Sequence, residues 1–424
     1  MTEAFSSTLS LKRLTKRLGP GVITGAADDD PSGIATYSQA GAQTGFGLLW
    51  TVVLTWPMMV AVQSISARIG RVTGRGLAAN MLDVFPRPAV GMLIVLLFVA
   101  NTINIGADLS AMGAAVKLAV GGSQHLYTVL FALGCLMGTV FIPYHRYVEV
   151  LKWLTFSLFA YVGIVFAVDI DWHDVVKGAL LPRLELSGDS LTLVVALFGT
   201  TISPYLFFWQ SSQEVEEEEA DPKDAPLLEK PKQAPVQLQR IAWETCAGMG
   251  MSNMVAFFIM LTTAATLHAN GQTDIQSTEQ AAQALKPIAG DFAFALFSIG
   301  IVGTGLLAVP VLAGSVAYAA GELFAWPIGL EHPPQKARGF YSVIAAAIVL
   351  GIAVDLSPLD PIKALVWSAV VNGVIVVPVL VAMMIVASRS REMGQFVATR
   401  TQRIFGWLTT AMMAVAAVAM FVTM

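Results

Sequence analysis

Charged residues are scarce in this chain. Only 13% of its 424 residues are Asp, Glu, Lys or Arg, whereas a soluble protein carries about 25%. This scarcity excludes a soluble multidomain protein and a disordered chain, and a net charge of −4 gives no reason to expect nucleic acid as a partner. Two cysteines in separate apolar runs are too few for a disulfide framework. Because 55% of the residues are hydrophobic, the composition indicates a polytopic membrane protein.

Eleven stretches of the chain are apolar and long enough to cross a bilayer, since a spanning helix needs about 20 mostly apolar residues. We expect helices, because backbone polar groups must find internal partners in lipid. The predicted spans are Gly19–Thr44, Gly47–Arg68, Val90–Val116, Leu126–Pro143, Tyr147–Val168, Leu191–Gln210, Thr245–Leu267, Phe292–Phe324, Phe340–Val354, Ile362–Ala387 and Phe405–Met424.

The basic residues predict the orientation of these spans. With the N-terminus in the cytoplasm, 20 of the 25 Lys and Arg residues fall in cytoplasmic segments. Positive charge is enriched on the cytoplasmic side of membrane proteins. Adding or removing one span would invert every later loop, so this bias supports eleven spans.

The first span is interrupted by three adjacent carboxylates. Asp28, Asp29 and Asp30 are followed by Pro31, Ser32 and Gly33 inside an apolar frame. A carboxylate at the bilayer centre costs at least about 2.5 kcal/mol, and proline removes a helical hydrogen-bond donor. We therefore expect this helix to unwind, and we do not expect three aspartates in a span merely to satisfy one another.

The sixth span contains a matching break, in which Thr200, Ser203, Pro204 and Tyr205 interrupt an apolar run. Broken helices at corresponding positions of two halves indicate a midplane site in an inverted-repeat transporter. The sequence thus predicts a single transmembrane domain, with repeats at 18–168 and 190–387 and an extra helix at 404–424.

Carboxylates, hydroxyls and unwound carbonyls together favour a site for a hard cation. Asp30 is the best candidate for a direct ligand because it adjoins the break, and Ser203 and the carbonyls near Ala27 and Thr200 could complete the site. Asp28 and Asp29 would attract cations or cap a half-helix. The intramembrane polar residues Asn101, Asn104, Asp108 and Asn372 could line the path or bind neighbouring helices.

These residues resemble the Nramp family of divalent metal transporters. The resemblance covers most of the chain and is most specific in the first span and after the second, at Gly19-Pro20-Gly21, Asp30-Pro31-Ser32-Gly33-Ile34-Ala35-Thr36, Leu48-Leu49-Trp50, Ala67-Arg68-Ile69-Gly70 and Val72-Thr73-Gly74. The family implies a LeuT-type fold of five plus five helices with an extra one, alternating access, and a metal site between helices 1 and 6. We also expect a monomer in the bilayer, with the metal ion as substrate and without a cofactor.

Departures from the family pattern concern the metal ligands. The family has Asp-Pro-Gly-Asn in the first helix, where this chain has Gly33 in place of Asn, and Met-Pro-His in the sixth, where this chain has Ser203 and Tyr205. A thioether favours transition metals, and Mg²⁺ usually keeps several waters. The departures resemble the prokaryotic Nramp-related magnesium transporters, which implies Mg²⁺ and also Mn²⁺ as substrates in a bacterial cytoplasmic membrane.

Proton coupling is expected to be weak or absent. A tyrosine ordinarily loses its proton only near pH 10, so Tyr205 is a poor shuttle where the family has His. By alignment Asp108 retains one family acid of the third helix, whereas Asn101 and Ala111 replace two others. The alternatives are a proton-coupled Mn²⁺ or Fe²⁺ importer of the ordinary type and an amino-acid transporter of the same fold. An enzyme is not expected.

The segment 212–239 carries a run of acids, Glu214 and Glu216–Glu219 among them. By topology it is a cytoplasmic loop. Charge runs are usually solvated, so we favour a solvated extension of the sixth helix over a collecting site for released cations.

Overall fold

The computed structural model describes residues 19–142, 156–182, 187–356 and 360–423. Within these ranges the regular structure is helical, as predicted. The α-helices in chain order are α1 Pro20–Asp28, α2 Pro31–Thr44, α3 Leu49–Thr73, α4 Leu77–Leu82, α5 Arg87–Val120, α6 Gln124–Phe141, α7 Phe159–Ile164, α8 Trp172–Leu180, α9 Gly188–Thr201, α10 Pro204–Ala220, α11 Ala234–Thr266, α12 Thr278–Gln283, α13 Lys286–Ala289, α14 Ala293–Phe324, α15 Arg338–Asp355, α16 Pro361–Ser388, α17 Ser390–Met393 and α18 Arg400–Thr423.

Ten of the eleven predicted spans have their counterpart in these helices. Eight helical stretches of the described residues are long and apolar enough to cross a membrane. The broken first span is α1 with α2, and the ninth is α15. The predicted fifth span, Tyr147–Val168, lies partly outside the described residues, and its described part contains a 3₁₀ turn at Phe156–Leu158 and α7.

Both predicted interruptions are present, and the prolines explain their position. Asp29 and Asp30 separate α1 from α2, while Ile202 and Ser203 separate α9 from α10. Pro31 and Pro204 each occupy the first turn of the helix that follows, where a missing N–H costs nothing and the fixed φ suits the helix. Each proline therefore starts a half-helix instead of kinking a continuous one.

Small residues bring the half-helices close to their neighbours. A side chain at Gly25 would collide with the backbone of Gly248, so α1 and α11 touch along their backbones. Likewise a side chain at Gly70 would collide with the backbone of Ser211, where α3 meets α10. Such contacts are typical of helix packing in membranes. The predicted repeat relates the first span to the sixth and the second span to the seventh. It therefore maps the contact between the first and seventh spans onto the contact between the sixth and second spans.

The prediction of a solvated acidic segment at 212–239 is wrong in part. Residues 212–220 do continue the sixth helix as α10, but Glu214 and Glu218 are buried. Glu214 pairs with Arg240 of α11 at 2.5 Å, and Glu218 lies 4.0 Å from Arg71 of α3. Since these carboxylates already have arginine partners, they anchor α10 to its neighbours and are not free to collect cations.

Candidate metal centre

Asp30 lies at the first break and is held by three hydrogen bonds. Its Oδ1 accepts from the Gly33 amide at 2.7 Å and from the Ser32 hydroxyl at 2.8 Å, which makes Asp30 the N-cap of α2. Its Oδ2 accepts from the side-chain amide of Asn104, on α5, at 3.0 Å. An ionised carboxylate offers about four lone pairs, so these three donors leave Asp30 able to take one further contact, at Oδ2.

The second break faces the first across Gly33. A methyl group at Gly33 would lie 3.2 Å from Thr200 Oγ1 and 3.4 Å from Asp30 Oδ1, so both oxygens border the same small space. The Thr200 hydroxyl is buried and has no hydrogen-bond partner among the described residues. The Ser203 hydroxyl lies 2.9 Å from the carbonyls of Gly199 and Thr200, to which it can donate. The Ser203 hydroxyl thereby supplies a donor to the last carbonyls of α9, and its oxygen lone pairs remain available to a cation.

Two tyrosines join the broken helices to each other. The Tyr205 hydroxyl donates to the Ala27 carbonyl at 3.2 Å, linking α10 to α1. The Tyr37 hydroxyl lies 3.2 Å from Thr201 Oγ1, linking α2 to α9. Thr201 itself lies 2.5 Å from the Leu197 carbonyl, so Tyr37 is the donor in its pair. The sequence predicts both Ala27 and Tyr205 at the metal site. In the structure the two residues are hydrogen-bonded to each other.

Asp108 lies on the same face of α5 as Asn104, because residues four apart on a helix are neighbours. Its side chain is fully buried, and neither carboxylate oxygen has a hydrogen bond of ordinary geometry within the described residues. The charge of Asp30 and the backbone amide of Ser32 are both close enough to act on it. Asp108 therefore places a second carboxylate near the first break.

Asp28 and Asp29 point away from Asp30 to a different helix. The hydroxyl of Ser252, on α11, lies 2.6 Å from Asp28 Oδ2 and 3.0 Å from Asp29 Oδ1. All three side chains are buried. Because Asp30 faces α5 instead, the three aspartates do not converge on one point. No cluster of three or more His, Cys, Asp or Glu suited to a metal occurs in the described ranges.

The other two polar residues predicted to line the path, Asn101 and Asn372, lie on α5 and α16. Asn101 donates to the Leu312 carbonyl at 2.8 Å and to the Ser315 hydroxyl at 2.9 Å, so it binds α5 to α14 and does not reach Asp30. Asn372 is buried in α16, and its Oδ1 lacks a hydrogen-bond partner in the part of the chain that is described.

Two cavities lie at the far ends of α2 and α9. One, of about 520 Å³, has a mixed lining, with Gln39, Asp274 and Lys363 beside apolar residues such as Val366 and Trp367. The other, of about 950 Å³, also touches Gln43, and its lining includes Asp169, Asp171 and Asp174. These cavities provide water-accessible space on the side of the molecule predicted to be external.

Sequence reasoning missed Ser252 and Ser368, which position the aspartates. Ser368, on α16, donates to Asn104 at 2.5 Å. Single serines in apolar spans are common, and sequence spacing gives no indication that these two reach the first break. Only the packing of α11 and α16 against the broken helix identifies them.

The fold and the two oxygen-lined breaks are those of a membrane transporter with discontinuous helices. A model of the family described as "Natural resistance-associated macrophage protein-like", Nramp, matches residues 21–423. The chain belongs to the Nramp family, and it is therefore a transporter and not an enzyme, as predicted.

One relative and two solved structures are similar to nearly the whole chain. The divalent metal cation transporter MntH of Klebsiella pneumoniae (strain 342) is 28% identical over 419 residues, covering 96% of this chain and 94% of the relative. A manganese transporter of Eremococcus coleocola, solved with an aromatic bis-isothiourea compound, superposes with a TM-score of 0.74 at 17% identity, over 99% of this chain and 88% of that one. Mhp1, a nucleobase-cation-symport-1 transporter in a closed conformation, gives a TM-score of 0.54 at 13% identity, over 95% and 93%.

Proposed function

We propose that this chain carries hard divalent cations across the membrane by alternating access, with Mg²⁺ as the main substrate and Mn²⁺ as a second one. Family membership and the metal-transport function named for the relatives support divalent metal ions as the cargo. The preference for Mg²⁺ is inferred from the oxygen chemistry of the site. We further propose that the chain works as a monomer in a bacterial cytoplasmic membrane, with its N-terminus in the cytoplasm.

The observation that carries the preference is the limited coordination that Asp30 can offer. Three donors occupy the carboxylate, so one lone pair remains for a cation. The other oxygens around the break are the Thr200 hydroxyl, the Ser203 hydroxyl and backbone carbonyls. A site with few direct ligands suits an ion that keeps most of its water, as Mg²⁺ does. With Ser203 in the place of a methionine, the softer transition metals lose their preferred ligand.

Charge at the break supports a cation over an amino acid. The helix ends at the breaks contribute both signs, because α1 and α9 end there with negative dipole ends while α2 and α10 begin there with positive ones. The net charge of the site therefore comes from its carboxylates. Asp30 and Asp108 add two buried carboxylates. A substrate carboxylate would be repelled here, so the amino-acid alternative is disfavoured.

Proton coupling is proposed to be weak or absent. Tyr205 uses its hydroxyl proton to bind the Ala27 carbonyl, and it stands where the family pattern has a histidine. A phenol with an ordinary pKa of about 10 keeps its proton near neutral pH, so Tyr205 is a poor proton carrier. Transport should then follow the metal gradient and the membrane potential.

A liposome assay with purified protein tests the proposal. Mg²⁺- and Mn²⁺-sensitive dyes report uptake, and an internal pH dye reports proton movement in the same preparation. We expect Mg²⁺ to enter, Mn²⁺ to compete with it, and the lumen to keep its pH. Vesicles that contain the Asp30→Ala variant, which lacks the proposed metal ligand, serve as the negative control. Mn²⁺ uptake that acidifies the lumen, with Mg²⁺ neither entering nor competing, would establish the proton-coupled Mn²⁺ or Fe²⁺ importer instead.

A further inference from the structure

Asn104 is linked to two other helices by consecutive hydrogen bonds. Ser368 of α16 lies 2.5 Å from Asn104 Oδ1, and Asn104 Nδ2 lies 3.0 Å from Asp30 Oδ2. Asn104 and Ser368 have no exposed surface, and Asp30 is 2% exposed. The chain Ser368–Asn104–Asp30 therefore connects α16, α5 and the first break without solvent between its members.

The orientation of the Asn104 amide follows from its partners. An ionised carboxylate only accepts hydrogen bonds, so the NH₂ group must face Asp30 and the amide oxygen must face Ser368. With the amide reversed, its oxygen would lie 3.0 Å from the Asp30 carboxylate, and two acceptors would repel. The Ser368 hydroxyl shares its one proton between the amide oxygen at 2.5 Å and the Leu365 carbonyl at 2.7 Å. Its share toward the amide oxygen stabilises the orientation that keeps a donor on Asp30.

The amide donor limits how strongly Asp30 can attract a cation. Both lone pairs of Oδ1 are used by Ser32 and Gly33, and Asn104 uses one of the two on Oδ2. A donor on Oδ2 also withdraws negative charge from the lone pair that remains. Ca²⁺ accepts six to eight oxygen ligands in flexible geometry, whereas Mg²⁺ dehydrates reluctantly. An Oδ2 with both lone pairs free would offer a cation one more direct contact, and additional direct ligands favour Ca²⁺ over Mg²⁺.

We propose that Asn104, held by Ser368, is a positioning residue that keeps Asp30 selective for hydrated Mg²⁺ over Ca²⁺. This inference rests on the proposed divalent-cation transport. It assigns the selectivity to a residue that need not touch the ion, and it gives α16 a direct connection to the ligand.

Asn101 provides a matched control on the same helix. Its amide group donates to the Ser315 hydroxyl, the reverse of the Ser368-to-Asn104 bond, and this pair binds α14 without reaching Asp30. Asn104→Leu and Asn101→Leu each replace an amide by an apolar group of similar shape. Each variant loses one side-chain amide that binds a neighbouring helix. A general loss of stability would therefore affect the two variants alike.

The experiment measures how Ca²⁺ competes with Mg²⁺ uptake into liposomes, using the full chain. We expect Asn104→Leu to lower the Ca²⁺ concentration needed for half-inhibition, relative to the KM for Mg²⁺, by about tenfold, the effect of one charge-assisted hydrogen bond. Ser368→Ala should shift the ratio in the same direction by about twofold to threefold, as expected for a weaker neutral bond. Asn101→Leu and Ser315→Ala should leave the ratio unchanged.

The double variant Asn104→Leu/Ser368→Ala should match Asn104→Leu alone, because Ser368 acts only through the amide. An unchanged Ca²⁺ to Mg²⁺ ratio in Asn104→Leu, with Mg²⁺ uptake intact in the wild type, overturns the inference. If Asn104→Leu does not yield monodisperse protein, the comparison of Ser368→Ala with Ser315→Ala decides in the same way. Absence of Mg²⁺ and Mn²⁺ uptake in the wild type would instead remove the proposed function.

Discussion

The Tyr205 hydroxyl donates a hydrogen bond of 3.2 Å to the Ala27 carbonyl, and this bond joins the two broken helices beside the candidate metal centre. Tyr205 follows the proline that starts α10, and Ala27 lies in the last turn of α1. The carbonyl is free to accept because the helix ends there. The breaks thus supply both partners of the contact that holds them together.

Tyr205→Phe should lower the stability of the protein. The ring is retained, but the buried Ala27 carbonyl loses a partner, which costs about 1 kcal/mol for such a bond in a membrane protein. Thermal unfolding in detergent measures the change. Tyr127→Phe is the control, since the hydroxyl of Tyr127 binds the Gly121 carbonyl at an exposed position. Equal melting temperatures for the two variants would contradict a structural role for the Tyr205 bond.

Asp30→Ala should abolish uptake of Mg²⁺ and Mn²⁺ while leaving expression intact. The substitution removes the carboxylate that borders the space between the breaks, together with the N-cap of α2. Liposome flux checks the result. Asp83→Ala, which removes an exposed aspartate paired with Arg75, should transport like the wild type. Near wild-type flux in Asp30→Ala would remove Asp30 from the site.

Ser203→Met should shift the preference toward Mn²⁺. A thioether in place of the hydroxyl adds a soft ligand at the second break. It also removes the donor to the Gly199 and Thr200 carbonyls, so Ser203→Ala is needed to separate the two effects. Competition between Mg²⁺ and Mn²⁺ is measured for both variants. The soft-ligand argument fails if Ser203→Met and Ser203→Ala compete alike.

Arg71→Met should destabilise the protein far more than Arg75→Met. Arg71 is fully buried and lies 2.5 Å from Asp224 and 4.0 Å from Glu218. Removing one member of a buried ion pair leaves an uncompensated charge and costs about 3–5 kcal/mol, whereas an exposed pair such as Arg75 with Asp83 contributes about 0–1 kcal/mol. Thermal unfolding of the two variants provides the comparison. A small and equal effect would show that α10 is not anchored through Arg71.

The sequence predicts the helical class and both breaks because their causes are local. Proline at positions 31 and 204 and carboxylates in an apolar span leave few alternatives in a bilayer. The helix ends were less predictable. The seventh span was expected at Thr245–Leu267, whereas α11 begins at Ala234, because a helix can extend beyond the membrane where ion pairs such as Arg240 with Glu214 stabilise it.

Side-chain direction at the site could not be predicted. Three adjacent aspartates look equivalent in the sequence, but Asp30 faces Asn104 while Asp28 and Asp29 face Ser252. The end of α1 rotates the chain between them, and only the packed neighbours reveal where each carboxylate points. For the same reason the sequence could not separate Asn104, which binds Asp30, from Asn101, which binds α14.

The most direct test of the account is an anomalous-scattering map from crystals soaked in Mn²⁺ as a stand-in for Mg²⁺. The account predicts one peak beside Asp30 Oδ2, the carboxylate oxygen that keeps a free lone pair. It predicts at most one protein oxygen within about 2.3 Å of the ion and other oxygens at about 4 Å, through water. A peak surrounded by three or more protein ligands, or one distant from Asp30, would contradict a site built for a hydrated cation.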